Sequence, residues 1–158
     1  MGGGILPVAL HKGKLYFLFS REYIKSKEDP GLWSDFGGSK EKGETYKETA
    51  IREGWEESSG ILGSKKSIKK LVETKTLKSF TLRGYKTYIV LINYNKNLPK
   101  KFRKNFLDVK KKYPHLIEKN GLFEKDMLKW VDYTDLQKKL NIFRPWYKSI
   151  IKELIKSL

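Results

Sequence analysis

The sequence predicts a mixed α/β fold in one domain. Three observations carry that expectation. Two β-prone runs open the chain, a helix-forming segment is framed by glycines at 37–38 and 60, and an amphipathic run closes it. A length of 158 residues suits one domain with a core of its own.

Residues 5–10 form a short apolar run that reads as a strand, at a sheet edge because of Pro7. His11 to Lys14 is a turn, and residues 15–19 are a second strand, so the two make a hairpin. Asp29-Pro30-Gly31 signals another turn. Residues 32–36 deliver the chain to Gly37-Gly38. A helix is expected from Glu44 to about Ser58, with Glu44 and Glu48 in its first turns and Gly60 as a left-handed cap. Residues 67–82 and 85–94 read as β-rich, with Arg83-Gly84 as a turn and residues 88–92 as a central strand. A basic helix follows from Lys101 to about Lys112 with Phe102, Phe106 and Val109 on one face; Pro114 stops it. Residues 96–121 read as an insertion in the single domain 1–158. Residues 128–131 form a last strand. Ile150, Ile151, Leu154 and Ile155 form the stripe of a terminal helix.

Composition narrows the function. There is no cysteine, which excludes disulfides and thiolate zinc sites. No apolar run approaches the roughly 20 residues of a membrane span. The first residues lack the charged and apolar regions of a secretory signal, and Leu6 stands where a myristoylation signal has Ser or Thr. The expected location is cytoplasmic, and nothing marks an obligate protein partner. The net charge of +16 is concentrated in residues 64–119, which carry 17 basic and 3 acidic residues. A field of that size attracts polyanions.

Against this background, Arg52-Glu53-Gly54-Trp55-Glu56-Glu57 is acidic. On a helix Glu53 and Glu57 share a face, and Glu56 lies beside them. Three like charges repel unless a cation joins them. Oxygen-only ligands suit Mg²⁺ or Mn²⁺, which polarise phosphoryl oxygens and lower the pKa of a bound water. Gly37-Gly38 lets the backbone approach without a Cβ.

Gly38, Glu44, Arg52-Glu53 and Glu56-Glu57 stand at the spacing of the Nudix box, and the segment resembles that family. The resemblance implies an α/β/α sandwich with a mixed sheet, carrying a basic helical insertion. It also implies a hydrolase of pyrophosphate linkages. Glu53, Glu56 and Glu57 would hold the metal with the backbone of Gly38, and Glu44 would pair with Arg52. Two positions depart from the box. Gly54 replaces a bulky aliphatic residue, which removes a packing side chain. Ser59 replaces a glycine, with Gly60 one place late, which suggests a slipped helix exit. The box leaves the general base open between Glu57 and a later glutamate, for which Glu124 is the candidate.

Tyr16, Trp33 and Phe80 are candidates to stack on a base, although alternating aromatics in strands also build cores. Lys101, Arg103 and Lys104 are candidates to bind phosphates. The segment 33–38 and the Lys-rich stretch resemble the mRNA-decapping branch of large DNA viruses, so capped RNA is the first expected substrate, releasing m7GDP. Diphosphoinositol polyphosphates come next, then dinucleoside polyphosphates or ADP-ribose. A non-catalytic RNA- or nucleotide-binding module is the competing class. The intact glutamates argue against it, because a binder of polyanions gains nothing from an acidic cluster.

Overall fold

The computed structural model describes residues 1–158. The first hairpin organises the sheet. Strands β1 (Gly2–His11) and β2 (Lys14–Glu22) are joined by Lys12 and Gly13, both at positive φ, as a tight two-residue hairpin turn requires. They pair from His11↔Lys14 to Val8↔Phe17 and then separate. The chain returns into the opening: β3 (Trp33–Ser34) pairs with β2, and β4 (Phe36–Ser39) pairs with β1. Strand β6 (Tyr85–Leu91) runs parallel to β1 on its other edge, with β5 (Thr76–Leu82) beyond it. Strand β7 (Lys125–Asp132) pairs with β2.

Helices α1 (Tyr46–Glu57), α2 (Lys65–Lys75) and α3 (Leu98–Lys112) cover one face of this mixed sheet. There Ile5, Tyr88 and Val90 meet Ala50, Ile68 and Val72, while Leu18, Phe36 and Leu128 meet Phe102. Helix α4 (Lys148–Ser157) covers the other face, packing Ile150, Ile151 and Leu154 against Leu6, Val8, Phe17 and Ile89. The alternation of Ile5 and Leu6, or of Phe17 and Leu18, between faces is the period of a strand buried on both sides. The result is a mixed α/β fold, arranged as the α/β/α sandwich that the resemblance implies.

Three local expectations are corrected. Strand β1 is interior, not an edge. Pro7 is tolerated because β4 pairing ends at Ile5 and β2 pairing begins at Val8. The Val8 carbonyl accepts from the Ile92 N–H across β6, so the flank that Pro7 faces has no ladder bond to lose. Residues 67–75 are helical. Ser64 caps α2 by accepting the Ser67 N–H at 3.1 Å, and Ile68 and Val72, four apart, are its buried side chains. Helix α1 begins at Tyr46 rather than Glu44, because Thr45 and Glu48 form a reciprocal capping box.

The two box departures have physical answers. Gly54 leaves no hole: a Cβ there would stand 2.6 Å from Ile5 Cδ1, so Ile5 fills the space. The helix exit has not slipped. The Ser59 N–H donates to the Glu56 carbonyl and the Gly60 N–H to the Trp55 carbonyl, both at 3.2 Å, which is a Schellman ending. Ser59 occupies the left-handed position with φ 51° and Gly60 follows at 75°.

Ser59→Gly is therefore expected to raise the unfolding free energy by up to about 1 kcal/mol, read by urea denaturation. Gly54→Leu should cost about 1–3 kcal/mol through overpacking against Ile5. Adding Ile5→Ala should recover part of that loss, and a double-mutant cycle showing no coupling would refute the pairing.

Candidate active site

Strand β4 forms a glycine ledge beneath α1. The Glu57 carboxylate, almost fully buried, accepts the Gly37 N–H at 2.8 Å. Glu53 lies over Gly38, where a Cβ would stand 2.6 Å from its carboxyl carbon. A Cβ on Gly37 would instead collide with the Tyr85 hydroxyl, which donates to Asp35 at 2.9 Å. Each glycine thus removes a different clash.

Arg52 fastens the helix above the ledge. Its guanidinium donates to Glu44 at 2.8 Å, to Glu53 at 2.8 Å, to Glu56 at 3.2 Å and to the Ser39 carbonyl at 2.9 Å. The Arg52 hydrogen bond is the main cause that holds the Glu44 carboxyl down at about 2. In return, the same bond raises Arg52 above its ordinary value.

A deeper layer of charge was not legible in the sequence. Lys125 is 1 % exposed, with its ammonium 2.8 Å from Glu22, 3.0 Å from the Ser34 hydroxyl and 3.9 Å from Glu57. Arg144 reaches Glu22 at 2.7 Å and Asp29 at 2.9 Å. These contacts join positions far apart in the sequence, and the Lys125 contacts follow from the pairing of β7 with β2 at Glu22↔Lys125. No local pattern marks them.

The layers enclose a cleft of about 350 Å³ with no apolar lining. Six glutamates line it: Glu22, Glu28, Glu53, Glu57, Glu118 and Glu124. Glu56, on the next turn of α1, approaches the backbone of Gly121. Burial is the largest cause that pushes Glu53 up to about 7 and raises Glu56, Glu57 and Glu124. Arg52 opposes it at Glu53 and Glu56, and Lys125 opposes it at Glu57 and Glu124. Desolvated carboxylates that outnumber the cations beside them, Arg52, Lys125 and Arg144, favour a further hard cation. The donor set therefore fits a divalent ion held by Glu53, Glu56 and Glu57 with the Gly38 backbone. As positioned, no three carboxylates form a closed cage.

Other candidates are distributed unevenly. Glu124 lines the cleft, fixed by its carbonyl accepting the Tyr23 N–H at 2.9 Å. Trp33 is buried against Phe143 in the core and offers no open face. Tyr16 pairs with Ala9, five residues along β1 from Gly4 and about 17 Å from the ledge. It packs in a cluster with His11 and Tyr94. Phe80 sits on β5 against the α4 side of the core. None of these aromatics stands at the carboxylates. Lys101 and Lys104 are exposed on α3. Arg103 is not free, because it donates to the Asp126 carbonyl at 2.9 Å and so braces β7. The aromatics that do lie beside the ledge are Tyr85 and Trp146, neither of which the sequence singled out.

The Glu44–Arg52 pair sets a pH dependence. Glu44 is depressed from 4.5 to about 2, so its contribution is present above pH 4.5 and disappears as pH falls through about 2. Glu44→Gln should lower the melting temperature at pH 7 and lower it progressively less below pH 4.5. A pH-independent difference would show that the pair does not act through charge.

The NUDIX domain family model matches residues 4–154. No curated protein sequence matches the chain. Among solved structures, the Nudix hydrolase RenU from M. smegmatis aligns with a TM-score of 0.56 at 15 % identity, covering 99 % of this chain and 84 % of that one. An Ap4A hydrolase from C. elegans, solved as a binary complex, aligns at 0.55 and 16 % identity, covering 97 % and 93 %. Identities this low speak to the fold, whereas the family match takes in both the strand that supplies Gly37-Gly38 and the helix that carries the glutamates. Because that match spans nearly the whole length, the chain belongs to the Nudix family of divalent-metal pyrophosphohydrolases.

Proposed function

We propose that the chain hydrolyses the pyrophosphate bond of a nucleoside-diphosphate-linked substrate, and that this substrate is capped RNA, cut to release m7GDP. The observation that carries this reading is charge segregation. Six glutamates converge on one cleft in a chain of net charge +16, while the lysines of α2 and α3 point to solvent. Lys101 lines a depression with Ser58 to Ile61, immediately beyond Glu57, so exposed cations begin where the acidic helix ends. A cleft for one pyrophosphate needs no such surface, whereas an RNA body gains affinity from successive phosphate contacts.

In this reading Glu53, Glu56 and Glu57 hold a divalent cation with the Gly38 backbone. The ion, when bound, neutralises phosphate charge and lowers the pKa of a water. Arg52 orients Glu53 and Glu56 through its two hydrogen bonds. Lys125 balances Glu22 and Glu57 from below. Glu124, partly buried in the cleft wall, takes the proton from the attacking water. Mg²⁺ and Mn²⁺ both suit this oxygen donor set.

Mass spectrometry of products from a panel of capped RNA, cap dinucleotide, dinucleoside polyphosphates, ADP-ribose and diphosphoinositol polyphosphates tests the reading. Capped RNA should be preferred over the cap dinucleotide at low salt, and the preference should fade as salt rises. Glu56→Gln and Glu57→Gln should each lower kcat by at least about a hundredfold, the scale of losing a principal electrostatic contact. Replacing Lys100, Lys101 and Lys104 by Gln should weaken RNA binding and spare the dinucleotide. Equal turnover of long and short substrates would reject capped RNA. No release from any pyrophosphate with either metal would reject the enzyme itself.

A further inference from the structure

The Gly37-Gly38 ledge borders a second opening. It has a volume of about 340 Å³ and shares Glu28, Gly37, Gly38, Ser39 and Arg144 with the acidic cleft. Its other walls are Met1, Gly2, Arg83, Gly84, Tyr85 and Trp146. The character changes across the ledge from carboxylate to aromatic and guanidinium. A molecule that lies over Gly38 with one end among the glutamates can reach this opening with its other end.

The aromatic wall is held rigidly. Tyr85 donates its hydroxyl to both oxygens of the fully buried Asp35, at 2.9 and 3.0 Å, so its ring is fixed from below. The Trp146 ring lies 5.0 Å from that of Tyr85, tilted by 57°. Arg144 stands 5.3 Å from the Trp146 ring and is itself tied to Glu22 and Asp29. The backbone there is anchored by the Arg144 N–H donating to the Trp33 carbonyl at 2.9 Å, and by Pro145. Tyr147, the next residue, is fully buried, yet Trp146 keeps 37 % of its surface exposed. A fixed indole with a free surface at the mouth of an opening is a stacking platform. Arg83 is exposed on the hairpin turn opposite, and Gly84 beside it is tied to the N-terminal strand by the Gly2 N–H at 3.0 Å.

We propose that this opening binds the nucleoside end of the substrate, with the aromatic base stacked on Trp146 and Arg83 supplying positive charge to the neighbouring phosphate. The inference rests on the pyrophosphohydrolase reading for which end of the substrate lies here. It deepens that reading by selecting base-containing pyrophosphates over base-free ones such as diphosphoinositol polyphosphates. It also separates the two ends of a capped RNA. The opening lies on the β6 side of the ledge and α3 lies on the β7 side, so a base on Trp146 directs the rest of the substrate toward the lysines.

The test reads binding without turnover. The probes are the α,β-methylene analogues of ADP and GDP, titrated with Mg²⁺ by calorimetry and by tryptophan fluorescence. Saturable binding with quenching is expected for at least one of them. Trp146→Ala should weaken it roughly tenfold, within the range that loss of one base-stacking ring produces. Trp146→Phe should restore most of the affinity while abolishing most of the quench. Arg83→Gln, at an exposed turn, should weaken binding about threefold, with a shallower salt dependence. A thermal melt of each variant identifies any that fails to fold, in which case Trp146→Phe and Arg83→Gln carry the test. Absence of binding by the wild type overturns the proposal, and so does unchanged affinity in Trp146→Ala, or unchanged quenching in Trp146→Phe. Hydrolysis is read separately, with Glu56→Gln expected to lower it by at least about a hundredfold. An inactive wild type that still binds nucleotide through Trp146 would therefore remove the enzymatic reading and leave this site standing.

Discussion

The hydrogen bond from the Gly37 N–H to the Glu57 carboxylate, 2.8 Å long and buried, is the contact on which the other site features depend. It ties the last turn of α1 to the strand inserted in the mouth of the first hairpin. Burying a carboxylate there costs several kcal/mol unless it is paired. Lys125 supplies the compensating charge, shared with Glu22, and Arg144 balances Glu22 from the other side. The acidic cluster thus rests on a buried lysine, and the lysine is held by strand pairing at the far end of the chain. Removing any one of these partners would strand the others without water.

The same constraint accounts for the ledge. Glu53 can lie on Gly38 only because that residue carries no Cβ. Tyr85 approaches from the opposite face and needs the missing Cβ of Gly37, whose N–H bonds Glu57. One dipeptide therefore serves carboxylates above and a phenol below. The absent Cβ at Gly54 acts in a similar way one layer out, where Ile5 of β1 occupies the space. The two departures from the family pattern are thus local substitutions within an unchanged helix. Ser59 accepts a left-handed conformation, and Gly54 exchanges a packing side chain for one from the strand.

Local chemistry was legible in the sequence to the extent that it is local. The hairpin at Lys12-Gly13, the box helix, α3 and α4 all announce themselves by turn residues or by 3.6-residue spacing. Residues 67–75 run without a break into the β-prone Thr76–Leu82, and it is the Ser64 cap, with Ile68 and Val72 four apart, that makes them helical. Pro7 suggests an edge because proline has no ladder donor, and the gap between the β4 and β2 pairings lets an interior strand hold it. Glu53, Glu56 and Glu57 were legible because one helix carries them. Glu22, Lys125 and Arg144 were not, because strand pairing and a long return of the chain bring them together. Arg103 looked like a phosphate ligand by composition and is a brace by geometry. Trp33, a short way before the glycines in sequence, turns into the core, while Trp146, more than a hundred residues away, stands beside them.

This division also explains how one ledge can fix the bond type and leave the substrate to its surroundings. The carboxylates lie on α1 and β2 and in the segment before β7, where movement would break the Lys125 network. The walls on either side belong to the Arg83-Gly84 hairpin turn, to the Pro145–Trp146 turn and to α3. Those elements are set by a few anchoring contacts, and their outward residues can change without disturbing the buried charges. Lysines on α3 need only solvent and Phe102 beneath them. Trp146 needs only the buried Tyr147 next to it and the Arg144–Trp33 backbone bond. Cleavage chemistry is thereby fixed by the buried charge balance, and recognition is free to vary on the rim.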